Sequence, residues 1–176
     1  KIKPMKKLIL SSLFLLLSLS VISQTQLDYL LFEKCNQYRK QNGLVEWKWS
    51  HKAFKPAEHH SDYQVKTGTM GHTENTITPR PTSRLDYYNI DWIYSGENCA
   101  VILKTSFTNE YIANEILKMW KNSKLHNDLL LNPDDGEVAA ISCKIGRNYK
   151  WSKDEYDWIF CTLTVFREIS NSFVID

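Results

Sequence analysis

Five histidines, four cysteines and a glutamate set between glycine and asparagine are the residues of this chain best equipped for chemistry. The histidines are His51, His59, His60, His72 and His126. His72 follows Met70-Gly71 at the mouth of an irregular stretch, and His126 comes shortly after a helical pattern that ends near Trp120. Glu97 lies in Ser95-Gly96-Glu97-Asn98-Cys99, between a loop and an apolar run. Two imidazoles and a carboxylate from three separate segments can converge on a divalent metal, with Glu97 as the candidate catalytic group. The same trio can form an acid–base group, because imidazole titrates near neutral pH. The alternative is a buried hydrogen-bond network that ties loop to helix. His59 and His60 are helix neighbours, so their rings point in different directions and read as partly buried or solvated side chains.

Other chemistries are excluded. There is no H-E-x-x-H, G-x-S-x-G or Walker A pattern. Cys35, Cys99, Cys143 and Cys161 contain no C-x-x-C pair, which argues against a zinc ribbon or a thioredoxin-like motif. Their even number suggests two disulfides in an exported domain, with four buried free thiols as the alternative. If Val138–Lys150 and Tyr156–Phe166 pair as a hairpin centred on Ser152, Cys143 and Cys161 face each other within bridging reach. That leaves Cys35, on the core face of the first helix, for Cys99.

Export is suggested by residues 6–23, KKLILSSLFLLLSLSVIS: two lysines, an apolar run and a Val21/Ser23 cleavage pair. The run is shorter than the roughly 20 residues a membrane-spanning helix needs. The reading is a signal peptide over 1–23 and a single domain over 24–176, secreted, with no stable membrane span once the leader is removed. With the four leader lysines set aside, 18 of the 22 basic residues remain against 20 acidic ones. A basic nucleic-acid footprint is therefore absent.

The positioning elements follow from periodicity. Leu27, Leu30, Leu31, Cys35 and Tyr38 line one face of a helix over 26–41 that Gly43 closes. Ser50 can cap a second helix over 51–66, ended by Gly68, although Pro56 suggests a start near Lys55. Residues 68–96 read as the longest irregular stretch. A third helix over 109–122, capped by Thr108, presents Ile112, Ile116, Met119 and Trp120. Two β-like runs, Val138 to Ile145 and Asp157 to Phe166, close the chain. Helices first and a hairpin last give an α+β or layered α-β-α arrangement.

These residues also assemble into a family pattern. Asn36-x-Tyr38-Arg39 with Gly43-Leu44 and Trp47, then Met70-Gly71-His72-Thr73, Arg84 and Tyr88, Gly96-Glu97-Asn98, Trp120-x-x-Ser123-x-x-His126 with Leu129-Leu130 and Pro133, and the strand Trp158 to Phe166 resemble the CAP superfamily in its bacterial form. (CAP denotes cysteine-rich secretory, antigen 5 and pathogenesis-related proteins.) The resemblance covers roughly residues 27–167. It implies a three-layer α-β-α sandwich around a central antiparallel sheet. It also implies a cleft lined by two histidines and acidic residues, which binds a divalent cation in some members. In the family's order His72, Glu97 and His126 form the binding set, with His72 and His126 as metal ligands and Zn²⁺ as the natural ion for two imidazoles and a carboxylate. Ser123 stands where many eukaryotic members have Glu, which removes one acidic group. Two functions follow from the resemblance. One is a secreted binding module for a lipid, a peptide or a protein. The other is a metal-assisted, peptidase-like hydrolase using the same cleft. The lack of an evident nucleophile and of an acid at Ser123 favours the module.

Overall fold

The computed structural model describes residues 26–104, 107–133, 138–147 and 156–169. The expected leader, its Gln24 cleavage product and the hairpin centre at Ser152 lie outside these residues.

Helix α1 covers 26–41 and buries Leu27, Leu31, Phe32 and Cys35. After a two-residue strand β1 (Lys48–Trp49) the chain enters α2 (His51–Thr67). The Ser50 hydroxyl accepts from Lys52 N–H, and Gly68 in the left-handed region ends the helix. The expected start near Lys55 is corrected: α2 begins at His51 and carries Pro56 inside it. The Ser50 cap and the burial of Ala53, Pro56 and Ala57 offset the hydrogen bond that proline cannot make.

The stretch 68–96, expected to be irregular, holds helix α3 (Pro81–Tyr87) and the start of strand β2 (Trp92–Leu103). Pro81 presets the first helical φ, and Ser83 Oγ exchanges hydrogen bonds with Arg80 N–H and C=O, both at 2.8 Å. Next come α4 (Asn109–Asn122), capped by Thr108, and α5 (Lys124–Leu130). Ile112, Ala113, Ile116 and Trp120 form the buried arc of α4. Met119, expected on that arc, falls at its rim and is 42% exposed. His126, expected to trail the third helix, sits within α5.

Strands β3 (Val138–Arg147) and β4 (Asp157–Glu168) complete a sheet of order β1-β3-β4-β2. β3, β4 and β2 pair antiparallel, as expected, but β1 lies parallel to β3, so the sheet is mixed. A parallel neighbour is available because α2 and everything after it form the crossover between β1 and β3. On one face α1, α4 and α5 cover a core that includes Leu31, Ile116, Trp120, Ile141 and Leu163. On the other face α2 and α3 pack Ala53 and Leu85 on Ala140 and Phe166. The fold is an α-β-α sandwich with β2 as an edge strand.

Candidate functional site

The site forms where the segment after α2 meets β2. Strand alternation sends Glu97 and Cys99 towards α2, and Gly96, Asn98 and Ala100 towards α4 and α5. A Cβ at Gly96 would overlap Leu129, so glycine is what lets α5 close on the strand. The Asn98 amide donates to the His126 carbonyl at 3.0 Å. It fastens the turn of α5 that carries the second histidine. Ser123 links α4 to α5.

His72 is delivered by Gly71, whose φ of +146° suits glycine. The Gly71 carbonyl accepts from His60 Nε2 at 2.7 Å and from the Gln64 amide at 3.1 Å, which pins the segment to α2. His72 Nδ1 then lies 3.0 Å from Glu97 Oε1, and its ring centroid lies 6.2 Å from that of His126. The structure thus brings His72 to both Glu97 and His126. The His72 side chain is 46% exposed, while that of Glu97 is 2% exposed.

Beneath His72 lies a fully buried charged cluster. Arg84 reaches Glu97 Oε2 through Nη2 at 2.5 Å and Glu74 Oε1 through Nη1 at 3.1 Å. His60 Nδ1 lies 2.7 Å from Glu74 Oε1. Glu74 Oε2 accepts from the Thr76 and Thr78 hydroxyls. Because His60 Nε2–H donates to the Gly71 carbonyl, the contact between His60 Nδ1 and Glu74 holds one further proton. With it, the quartet Arg84, His60, Glu74 and Glu97 is electrically neutral. Burial pushes the Glu97 carboxyl up. The His72 hydrogen bond and the charges of His60 and Arg84 outweigh that and hold it below the usual carboxylate range. Burial, then the neighbouring His72, pushes the His126 imidazole down. Burial and the Glu97 carboxylate push the Cys99 thiol well up, so it is not an activated nucleophile.

Sequence reasoning placed His60 among bystanders and left Glu74 out. The signal was present: Ala53, Ala57, His60 and Gln64 follow helical spacing, and all four are buried. His51 stands exposed on the first turn of α2, and His59 contacts the Tyr88 hydroxyl at 3.1 Å and lies 3.4 Å from Glu74 Oε2 through Nε2.

Among the described residues, the donor atoms of His60, Glu97 and Cys99 all lie within 4.8 Å of one another, a group able to hold a metal. Binding there would break contacts already made, since both nitrogens of His60 are engaged and the Cys99 thiol holds its proton. His72 Nε2 and the His126 ring are the more accessible donors.

All four cysteines are free thiols. Cys143 and Cys161 are direct partners across β3 and β4. Cys35 shares their face of the sheet, whereas Cys99 lies on the opposite face, so the structure does not bring Cys35 and Cys99 together.

The description "cysteine-rich secretory protein family" (CAP) fits residues 32–163 of the chain. An extracellular protein of Bacillus anthracis containing an SCP domain is similar at 21% identity and a TM-score of 0.60, over 82% of this chain and 41% of that one. An outer surface protein of Borrelia burgdorferi is similar at 18% identity and a TM-score of 0.60, over 79% of this chain and 90% of that one. A cysteine-rich secretory protein of Staphylococcus aureus gives 16% identity and a TM-score of 0.54, over 82% of this chain and 39% of that one. The chain therefore spans about two fifths of the Bacillus and Staphylococcus proteins. No curated protein matches the sequence. At these identities the structural likeness establishes the fold. No helix among the described residues is long and apolar enough to cross a membrane.

Proposed function

The chain belongs to the cysteine-rich secretory protein family, and on that premise we propose that it is a secreted binding module whose ligand site is the cleft between His72 and His126. The observation that carries this reading is the gradient of exposure. Arg84, Glu74 and His60 side chains are fully buried and Glu97 nearly so, yet the His72 they support is 46% exposed. A buried carboxylate on Nδ1 fixes the orientation of an imidazole and raises the basicity of Nε2, which is how proteins prepare a metal-binding histidine. His72 Nε2 and His126 would hold a divalent cation, Zn²⁺ by donor chemistry, with positions left open for water or a ligand group. When bound, the ion would polarise an oxygen of that ligand. The low proton affinity of His126 keeps it in the neutral form that a metal requires.

Binding is favoured over hydrolysis because Glu97 has no oxygen to spare. One faces His72 Nδ1 and the other accepts from Arg84. A general base must reach the proton it abstracts, and this carboxylate is turned inward. Export is supported by the leader pattern and by neighbours described as extracellular or outer-surface proteins. The bound partner would be a lipid, a peptide or a protein outside the cell.

Calorimetric titration of Zn²⁺ into the wild type and His126→Ala, with thermal melts of both, tests the reading. The wild type should bind one ion, more weakly as pH falls through the histidine range near 6.5. His126→Ala should lose at least tenfold in affinity with its melting temperature little changed. Equal binding by both proteins, or no binding with a destabilised variant, would reduce the trio to a structural network.

A further inference from the structure

The strand that borders the cleft has an open edge. β2 is the outer strand of the sheet, and its register with β4 runs unbroken from Tyr94 to Leu103. Lys104 N–H donates to the Asp157 carbonyl, so the even-numbered residues of this run exchange hydrogen bonds with β4. The odd-numbered residues must then direct N–H and C=O away from the sheet. Cys99 shows this parity, because its carbonyl accepts from Trp120 Nε1 at 3.1 Å.

From Cys99 onward α4 covers the edge, and Cys99 and Ala100 are buried. Asn98 is buried as well, and ahead of it the edge is half-exposed. The Glu97 side chain is only 2% exposed, yet the residue as a whole is half-buried rather than buried, so the surface it shows is main chain. Gly96, which is all main chain, is also half-buried, and so is Ser95. Among the described residues nothing bonds to the N–H and C=O groups of Ser95 and Glu97. Natural sheets blunt such edges with Lys, Pro or a covering element. Residues 94–97, Tyr-Ser-Gly-Glu, carry no Lys or Pro.

We propose that this edge receives an extended peptide segment of another protein as a short added strand over Ser95 to Glu97, running beside the His72–His126 pair. The occupant follows from the chemistry. Two donor–acceptor pairs two residues apart on a strand, roughly 7 Å from each other, match the repeat of a polypeptide main chain. Charge complementarity points the same way: the buried charges of Arg84, Glu97, His60 and Glu74 pair with one another, so the strand edge beside them suits uncharged amides. Exposed apolar side chains flank both histidines, Met70 at 49% and Leu125 at 81%. A strand sends alternate side chains to opposite faces, so the peptide would carry apolar residues at alternate positions. This inference rests on the cleft reading for its location and on the strand edge for its chemistry.

The test starts from a phage-displayed random heptapeptide library selected on the full-length protein, followed by synthesis of the enriched peptides. Two perturbations are then read by fluorescence titration. In Ser95→Pro the ring removes only an outward N–H, as proline on a strand edge allows, so pairing with β4 is kept. Peptide affinity should fall at least tenfold while the melt and Zn²⁺ titration stay as in the wild type. Independently of any variant, N-methylation of the peptide at alternate residues should cost at least tenfold, and the same change shifted by one residue less than threefold. No enriched peptide, or peptides indifferent both to Ser95→Pro and to the N-methyl phase, would overturn the inference. Zn²⁺ binding without peptide binding would sink the added strand and leave the cleft reading standing. Phase-dependent peptide binding without Zn²⁺ would sink the metal and leave the strand.

Discussion

On the face of the sheet turned to α1, α4 and α5, Ile141, Cys143, Ile159, Cys161, Leu163 and Val165 pack against apolar helix residues. On the face turned to α2, Ser142, Thr162, Thr164, Glu97 and Cys99 meet His60, Ser61 and Gln64. Ser61 Oγ donates to the Ser142 carbonyl at 2.8 Å and lies 3.0 Å from Thr162 Oγ1. Ser142 Oγ, Thr164 Oγ1 and Gln64 Oε1 are buried there without a partner among the described residues. Burial of apolar area stabilises the first face without regard to orientation. The second face has a smaller apolar cluster around Leu85 and Phe166; its polar burial stabilises only where hydrogen bonds are complete, and it sets directions. The molecule is held together mainly on one side of its sheet and aimed on the other.

The largest effects should come from breaking each face at its centre. Arg84→Ala would leave Glu97 and Glu74 buried without their cation and should destabilise by about 4–5 kcal/mol. The loss should shrink at acid pH, where protonation removes the stranded charge. Trp120→Ala should cost about 4 kcal/mol through a core cavity, with little dependence on pH. Urea unfolding at pH 5 and pH 8 separates the two. Identical pH profiles would erase the distinction between the faces.

A buried carboxyl breaks the pattern of the apolar face. Asp28 accepts from the Cys143 N–H at 2.7 Å, and burial pushes its carboxyl up to about 7, against the pull of that bond and of Lys144 and with Glu58 adding to the rise. A carboxyl raised in the folded state binds more protons there than in the unfolded chain. Wild-type stability should therefore fall as pH rises from about 4 to about 7. Asp28→Asn should abolish that fall, gaining on the order of 3 kcal/mol at pH 8. Denaturation midpoints that decline equally in both proteins would assign the pH dependence elsewhere.

A slightly smaller effect concerns the thiols of the same face. Cys161 belongs to the set that bonds to β2, so Cys143 and Cys161 form a non-hydrogen-bonded pair across β3 and β4, the closer kind. Oxidation of the pair would close a loop of about 18 residues and stabilise by about 3 kcal/mol in the chain-entropy picture. Peptide mapping of protein folded under oxidising conditions should find this bridge, with Cys35 and Cys99 still reduced because the sheet separates them. A Cys35–Cys99 peptide would contradict the face assignment.

Much of this architecture was legible in the residues, and what was hidden has physical reasons. Capping by Ser50 and Thr108, termination at Gly43 and Gly68, and the facing of Cys143 and Cys161 rest on local rules that tertiary contacts did not override. Helix α3 was obscured because a seven-residue helix rich in Tyr, Ser and Thr has weak periodicity and forms through its Arg80–Ser83 start and the burial of Leu85. The parallel pairing of β1 involves two residues and leaves no sequence pattern. His72, Glu97 and His126 could be named because each stands in a short motif, although Glu97 lies inside β2 and His126 inside α5. The Arg84–Glu74–His60 support could not, because it is a long-range charge balance. Only the fold shows that two carboxylates, a guanidinium and an imidazole share one buried volume.

In the proposed function this buried quartet aims His72 so that, with His126, it offers an accessible cation site. Anomalous diffraction at the zinc edge, on crystals grown with one equivalent of Zn²⁺, tests it most directly. A single peak is expected about 2.0–2.1 Å from His72 Nε2 and from a ring nitrogen of His126, with Glu97 still on His72 Nδ1. A peak among His60, Glu97 and Cys99, or no peak at full Zn²⁺ occupancy in solution, would contradict it.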